Sequence, residues 1–135
     1  MTTTLVDTNV LFDFLSRDDE WFDWSASMIE DAANRGDVVI NPIIYAEVSV
    51  RYDRIEDVDA ALPAEYFARA PLPWDAAFLA AKCFARYRRR GGARSSPLPD
   101  FFIGAHAAVS GMALLTRDAT RYRTYFPKLT IIAPF

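Results

Sequence analysis

Short, mainly apolar runs alternate with longer segments of helical period along this 135-residue chain. The runs fall at residues 3–6, 38–40, 112–116 and 129–132, a length typical of buried strands. No two-residue turn joins two of them, so they do not pair as hairpins. Strands that are separated by helices pair in parallel. The sequence therefore predicts an α/β fold of three layers, with a central, mainly parallel sheet flanked by helices.

Start and stop signals divide the segments between the runs. Thr8 or Asn9 is suited to cap a first helix, which would run to residue 15. The acids at residues 18–20 are suited to the start of a second helix, which Gly36 ends. The other predicted elements are a helix after Pro42, a helix at residues 55–62, a connection at residues 63–73, a helix from Trp74 to Gly91, a loop at residues 93–99, a helix at residues 100–110 and a helical turn at residues 121–126.

Two groups of large apolar residues need burial. The first recurs at helical spacing and predicts the core face of the helix that ends at Gly91: Trp74, Phe78, Ala81 and Phe84. The second is crowded into residues 12–24 and exceeds what one helix face buries: Phe12, Phe14, Leu15, Trp21, Phe22 and Trp24. Part of this second group therefore either contacts another chain or fills an ordinary core.

The composition predicts one globular domain over residues 1–135. Its hydrophobic fraction of 52% excludes a disordered chain, and no apolar run is long enough to span a membrane. The N-terminal residues lack the basic segment and apolar stretch of a signal peptide. The single cysteine, Cys83, cannot form an internal disulfide, so a cytoplasmic location is expected.

Four acidic residues lie at the edges of apolar segments: Asp7, Glu47, Asp100 and Asp118. Asp7 and Asp118 follow predicted strands, whereas Glu47 and Asp100 belong to predicted helices. A buried carboxylate is costly unless it is hydrogen-bonded, paired or bound to a cation. In open α/β sheets, sites form just outside the carboxyl ends of the strands. The four acids therefore predict a single pocket that binds a divalent metal.

The predicted ion is Mg²⁺, with Mn²⁺ as a substitute, because both prefer oxygen ligands. Thr8, Asn9 and Thr116 add neutral oxygens beside the acids and are predicted accessory residues. One ion can activate a water, and a second can steady the leaving oxygen of a phosphodiester. The same four acids are therefore the candidate metal ligands and the candidate catalytic residues.

Four short motifs resemble, in order, those of PIN domains. They lie at residues 6–11, 41–48, 98–107 and 115–118, and the last is followed by Tyr122 and by Phe126 and Pro127. The resemblance covers nearly the whole chain. In length and motif spacing the chain is most similar to the stand-alone VapC toxins of prokaryotic toxin–antitoxin pairs.

The resemblance implies a PIN-like fold and a Mg²⁺-dependent endoribonuclease that cleaves RNA with metal-activated water. In that family the four acids form the metal site, which corresponds here to Asp7, Glu47, Asp100 and Asp118. The resemblance also implies a cognate antitoxin protein, whose peptide lies over a helical groove and reaches the acidic pocket. Many members of the family form homodimers, so a homodimer is expected as well.

Basic residues are concentrated in the second part of the chain. Residues 82–135 hold ten of the 15 Lys and Arg residues but only two of the 18 acidic residues. A basic surface around an acidic centre suits a polyanion that is bound through its phosphates. Five arginines exceed what capping of a helix end needs and are predicted to bind RNA, although a solvated surface stays open: Arg86, Arg88, Arg89, Arg90 and Arg94.

Two other functions stay open at this point. A phosphatase of the haloacid-dehalogenase type also begins with a strand and an Asp, but it needs a second Asp where this chain has Asn9. A catalytically weak PIN domain would act as a module that binds RNA or protein, although all four acids are present. Taken singly, Asp7 and Asp100 also suit helix starts, and Asp118 suits a turn.

His106, the only histidine, lies about 240° round its predicted helix from Asp100. This placement predicts a role in the core and disfavours a histidine general base. Gly104 lies one turn after Asp100 on the same face. It either leaves room for substrate or permits close packing of the helix.

Overall fold

The computed structural model describes residues 1–95 and 98–135. In these residues five parallel strands form one sheet in the order β3-β2-β1-β4-β5. The predicted α/β class with a parallel sheet is confirmed. The strands are β1 (Thr4–Val6), β2 (Val38–Ile40), β3 (Ala68–Arg69), β4 (Ala113–Leu115) and β5 (Ile131–Ile132).

Helices flank the sheet and complete the PIN-like three-layer arrangement. Every residue of β1, β2 and β4 is buried, as expected for parallel strands that are covered on both faces. The helices are α1 (Thr8–Leu15), α2 (Phe22–Arg35), α3 (Pro42–Ser49), α4 (Ile55–Ala61), α5 (Trp74–Arg89), α6 (Pro99–Ser110) and α7 (Thr120–Tyr125).

Three helix ends have a clear local cause, and one of them corrects the prediction. Asn41 caps α3 by accepting a hydrogen bond from the Ile44 N–H at 2.9 Å. Gly111 ends α6 with φ of 66°, a conformation that side chains with a Cβ disfavour. The cap of α1 is Asp7, whose Oδ1 accepts from the Thr8 N–H at 2.7 Å. The prediction of Thr8 or Asn9 as this cap was wrong, because both of those side chains serve the neighbouring acids.

The connection predicted at residues 63–73 contains the short edge strand β3. Its two residues are exposed and pair with β2, so no apolar pattern identified them as a strand. The loop predicted at residues 93–99 includes Ser96 and Pro97, which lie outside the described residues.

The face of α5 that packs on the core differs from the predicted one. The small residues Ala76, Ala80 and Cys83 are buried, whereas Trp74 is 92% exposed and Phe78 is 65% exposed. Helix α5 packs along α6, and small side chains of α5 fill much of this contact. Of the predicted core face, Phe84 does pack against the core, whereas the prediction was wrong for the exposed residues Trp74, Phe78 and Ala81.

An ion pair with a buried carboxylate links α1 to the end of β4. Asp13 of α1 is 3% exposed, and its carboxylate accepts two bonds from the Arg117 guanidinium at 2.8 and 3.2 Å. Ser25 of α2 donates a third bond to Asp13 at 2.9 Å. Arg117 also lies over the ring of Trp21, with its guanidinium carbon 5.3 Å from the ring centroid. The pair therefore fastens α1 and α2 to the strand end beside the acidic residues.

Within the described ranges, no helix combines the length and the apolar character needed to cross a lipid bilayer.

Candidate active site

The four acids line one cavity near the carboxyl ends of β1 and β4. The chain turns from β1 toward β2 on one side, and β4 lies on the other side, so the strand order changes direction here. The Asp7 N–H donates to the Leu115 carbonyl at 2.8 Å, which joins the two strand ends directly. This is the topological switch point at which open α/β sheets bind their ligands.

Asp7 is the buried centre of the group. It is 4% exposed, and its Oδ2 accepts hydrogen bonds from the Tyr122 hydroxyl at 2.9 Å and the Thr116 hydroxyl at 2.8 Å. The Asn9 amide lies 3.5 Å from the same oxygen. These donors are neutral. Among the described residues, no cationic side chain pairs with Asp7.

The pKa of Asp7 is raised from 3.8 to about 6. The main cause is burial, which disfavours the charged form, and the nearby Asp100 carboxylate adds repulsion. Hydrogen bonds from Thr116, Tyr122 and the Thr8 N–H act in the opposite direction but do not compensate. The site therefore holds a carboxylate whose charge the protein itself leaves unbalanced.

Asp100 faces Asp7 across the Tyr122 hydroxyl. That hydroxyl donates to Asp7 at 2.9 Å and lies 3.3 Å from the Asp100 Oδ1. The other Asp100 oxygen accepts from the Arg121 guanidinium at 3.0 Å. Asp100 lies in the first turn of α6, immediately after Pro99, where the helix dipole favours an acid.

Glu47 reaches the group from α3. Its Oε1 accepts a hydrogen bond from the Thr8 hydroxyl at 2.7 Å. Burial raises the pKa of Glu47, the bond from Thr8 lowers it, and the charge of Asp100 raises it further. Glu47 lines the same cavity as Asp7 and Asp100, so the three carboxylates share one neighbourhood.

Asp118 lies at the rim. It is exposed, and its Oδ1 accepts from the Thr120 N–H at 3.2 Å. The buried Thr116 hydroxyl links Asp118 to Asp7, since it donates to Asp7 and lies 3.2 Å from the Asp118 N–H. The Oδ1 of Asn9 accepts a hydrogen bond from the Arg117 N–H at 3.1 Å. The three predicted accessory residues therefore all contact this acidic group.

A cavity of about 700 Å³ opens over these side chains. Asp7, Glu47, Asp100 and Asp118 all line it, together with Thr8 and Asn9. The fold thus brings together every acidic residue that the sequence identified, although they are far apart along the chain.

The oxygen donors of this cavity fit Mg²⁺ in kind, and the unbalanced charge of Asp7 fits a cation. Within residues 1–95 and 98–135, however, no three acidic, histidine or cysteine side chains converge closely enough to form a ready ligand set. The Tyr122 hydroxyl lies between Asp7 and Asp100, and Arg121 draws Asp100 toward itself. Binding of an ion therefore requires these side chains to rearrange.

Arg121 and Tyr122 were not predicted as site residues. The sequence placed them in a helical turn after Asp118, which gave no reason to orient either side chain toward the acids. Tyr122 is 1% exposed despite its polar neighbours, and Arg121 lines the cavity. A tyrosine within a polar helical turn that follows a strand-end acid was the available signal.

The predicted arginine cluster lies beside the cavity without lining it. The guanidinium carbons of Arg86 and Arg90 are 5.4 and 5.7 Å from the ring centroid of Tyr125, which does line the cavity. Arg88 instead donates to the carbonyls of Gly92 and Arg94, at 3.1 and 2.8 Å, and so closes the turn after α5. Arg89 and Arg94 are exposed.

His106 and Gly104 have structural roles. His106 is 2% exposed, and its Nδ1 lies 3.0 Å from the Asn41 amide nitrogen, away from the acids. Burial lowers the pKa of His106, which is consistent with a neutral ring. A Cβ at Gly104 would collide with the ring of Phe126, so this glycine permits close packing.

A match over most of the chain shows its family. Residues 4–127 match the family model of the PIN domain. The chain therefore belongs to the PIN domain family. No curated protein matches it in sequence.

Solved structures of toxin–antitoxin complexes have the same fold. A chain of VapBC2 from Rickettsia felis, bound to a promoter DNA fragment, aligns with a TM-score of 0.74 at 15% identity, and 98% of each chain is covered. A chain of VapBC-1 from nontypeable Haemophilus influenzae aligns with a TM-score of 0.72 at 17% identity and with the same coverage. A toxin–antitoxin complex from Klebsiella pneumoniae gives 0.69 at 22% identity, again covering 98% of each chain.

Proposed function

We propose that this protein is a Mg²⁺-dependent endoribonuclease and the VapC-type toxin of a toxin–antitoxin pair. The observation that carries the proposal is the buried Asp7 carboxylate, unbalanced by any cationic side chain of the described residues, in a cavity with three further acids. Membership of the PIN domain family and likeness to toxin–antitoxin complexes give the class of function. Neither identifies the substrate RNA.

Asp7, Glu47 and Asp100 would hold the ion, and Asp118 would act from the rim. The ion, when bound, supplies the charge that stabilises a phosphodiester transition state and activates a water. Mn²⁺ would serve as a substitute because it shares the preference for oxygen ligands.

The chain's own residues orient these acids. Thr8 fixes the Glu47 carboxylate, and Thr116 and Tyr122 fix that of Asp7. Arg121 pairs with Asp100 in this arrangement and is 41% exposed at its side chain. A guanidinium at this place is suited to exchange the carboxylate for a phosphate oxygen of RNA, since it binds both in the same geometry.

The exposed arginines of the cluster are expected to supply phosphate contacts outside the cavity. Replacing Arg89, Arg90 and Arg94 together with Ala should weaken RNA binding and flatten its dependence on salt. Each lost contact with a single strand lowers the slope of log K against log salt by about 0.7. Arg88 is kept because its bonds to two carbonyls close the turn after α5.

The matched control replaces Arg17, Arg35 and Arg54 with Ala. These arginines are exposed, lie outside the cluster and carry the same total charge. Filter binding at several salt concentrations measures both slopes. Equal slopes for the two triple variants would show that the cluster is ordinary solvated surface.

A second cavity gives the antitoxin a place to bind. It measures about 760 Å³ and lies between α2 and α4. Phe14, Ile29 and Tyr66 line its apolar part, and Glu30 and Glu65 add acidic groups. An amphipathic helix that has basic residues beside its apolar stripe fits this combination.

The six N-terminal apolar residues are all half-buried, and several contact one another. Phe12 lines the acidic cavity, whereas Phe14 lines the second cavity. Helix α1 therefore separates the two. A partner seated in the second cavity would have to pass α1 to place a basic side chain among the acids.

The toxin proposal predicts a growth phenotype and a complex. Expression of the chain alone should arrest growth, and co-expression with the adjacent open reading frame should relieve the arrest and give a tight complex. Tyr66→Ala should weaken that complex by about 2 kcal/mol if Tyr66 is a hot spot. Tyr66 is 71% exposed, so its loss leaves the core unchanged.

Val50→Ala is the control for this prediction, since Val50 is an exposed apolar residue outside the second cavity. Calorimetry of both variants with the purified partner measures the difference. Harmless expression of the chain and failure of any protein to co-purify would contradict the toxin function, while leaving the nuclease function open to separate test.

A homodimer remains part of the proposal. Trp74 and Phe78 lie one turn apart on α5, and both are exposed. A second copy is the partner that the toxin proposal implies for this pair.

A further inference from the structure

The acidic cavity has aromatic walls that the proposed metal chemistry does not use. Phe12 lines one part of it, and Tyr87 and Tyr125 line another. Both tyrosines are half-buried, so each presents part of its ring to the cavity. Metal binding and phosphate binding need oxygen ligands and cations, not aromatic rings. The rings therefore indicate a different ligand group.

The two tyrosine rings are held by a buried neighbour. Phe101 is fully buried and meets Tyr125 edge to face, with centroids 5.0 Å apart at 75°. It meets Tyr87 in the same way, at 5.7 Å and 65°. Phe84 stacks on Tyr87 at 6.1 Å. Because these contacts fix both rings, a planar group that entered the cavity would meet a preformed surface.

Arginines accompany this surface. Arg86 and Arg90 lie one helical turn apart on α5, and both guanidinium groups lie over the Tyr125 ring. Both side chains are exposed. A cation–π contact at an exposed site is weaker than stacking of a nucleobase on an aromatic ring. A base can therefore displace a guanidinium from Tyr125, and the released guanidinium can bind the phosphate of the same nucleotide.

We propose that Tyr125, with Tyr87 and with Arg86 and Arg90, forms a subsite beside the acids that binds one base of the RNA substrate. An unpaired base stacks on Tyr125 while its phosphate binds the arginines. The inference rests on the proposed nuclease function and adds a base-binding subsite to it. Bases within a duplex are stacked on one another, so double-stranded RNA cannot fill this subsite.

The test uses oligouridine RNA of about 12 nucleotides, a length within the range of single-strand sites, with 2-aminopurine at one position in turn. Binding is measured in EDTA, where no cleavage interferes. Stacking on the tyrosine should quench 2-aminopurine fluorescence at one position. Tyr125→Leu should abolish the quenching and weaken binding about tenfold, whereas Tyr125→Phe should retain both, because the ring and not the hydroxyl makes the contact.

Phe135→Leu is the matched control, because Phe135 is an exposed aromatic residue that does not line the acidic cavity. It should bind and quench as the unaltered protein does. In Mg²⁺, Tyr125→Leu should raise KM about tenfold and change kcat little, since the subsite binds the substrate without touching the reacting bond. Annealing the RNA to its complement should abolish the additional quenching that the protein causes.

Two results of the binding measurement would overturn the subsite. One is quenching that survives Tyr125→Leu although the variant has the same midpoint of thermal unfolding as the unaltered protein. The other is the absence of position-specific quenching in the unaltered protein, which decides the question even if the leucine variant does not fold. Position-specific quenching without Mg²⁺-dependent cleavage would support the subsite and contradict the nuclease function. Mg²⁺-dependent cleavage that is unaffected by Tyr125→Leu would support the nuclease function and contradict the subsite.

Discussion

Asp7→Asn is expected to lower Mg²⁺-dependent RNA cleavage by at least about 100-fold and to leave the protein folded. Asparagine keeps the shape of the side chain and an oxygen that accepts hydrogen bonds from Thr116 and Tyr122, while its amide nitrogen cannot accept the bond that the Thr8 N–H gives to Asp7. It lacks the negative charge that a divalent ion requires. The measurement is single-turnover cleavage of RNA at saturating Mg²⁺.

The same substitution should change how stability depends on pH. The folded-state pKa of Asp7, about 6, lies above its ordinary value of 3.8. Below a pH of 3.8 the Asp7 carboxyl is neutral in both the folded and the unfolded protein. Above a pH of about 6 the folded protein carries a buried charge at Asp7. About 3 kcal/mol of folding free energy is therefore lost as the pH rises through this window in EDTA.

The asparagine side chain of the Asp7→Asn variant does not titrate, so the stability of the variant relative to the unaltered protein should grow by about that amount from pH 4 to 7. Urea unfolding in EDTA at several pH values measures it. Asp31→Asn is the control, because Asp31 is exposed and away from the cavity. A constant difference between Asp7→Asn and the unaltered protein would show that Asp7 is not a strained, unbalanced carboxylate.

Arg117→Met is expected to destabilise the fold by about 3 to 5 kcal/mol, because it leaves the Asp13 carboxylate buried without its partner. Asp13→Asn should lower the free energy of unfolding by less than Arg117→Met does, because the Arg117 side chain is 34% exposed and can turn to solvent. The double variant should be more stable than Arg117→Met alone, because it removes the stranded charge. Urea unfolding of the three variants gives this cycle.

A loss of less than about 1 kcal/mol in Arg117→Met would contradict the role of this pair as the fastening between α1, α2 and β4. Equal losses in the two single variants would contradict the predicted asymmetry. Arg54→Met provides the control, since its pairing with Glu56 is exposed and contributes little.

The central sheet and the acidic cavity could be predicted because their signals are local. A short buried strand and a carboxylate at its end lie next to each other in sequence, as in Val6 and Asp7. The parallel topology then brings the ends of β1 and β4 together. The helical face that packs on the core could not be read for α5, since close packing against α6 selects Ala80 over Phe78.

The side chains that complete the cavity depend on tertiary structure. Tyr122 reaches Asp7 across 115 residues and Asp100 across 22, so no local pattern could pair them. Tyr125 gains its place from the buried ring of Phe101 on another helix. Strand β3 is exposed and only two residues long, which leaves no apolar pattern to detect.

The central claim is that these four acids form a Mg²⁺-dependent ribonuclease centre. It is tested most directly by stripping the purified protein with EDTA, titrating Mg²⁺ back, and following cleavage of end-labelled single-stranded RNA. We expect no cleavage in EDTA, saturable recovery with Mg²⁺, and no recovery in Asp100→Asn. Undiminished cleavage in EDTA, or cleavage by Asp100→Asn at the unaltered rate, would contradict the claim.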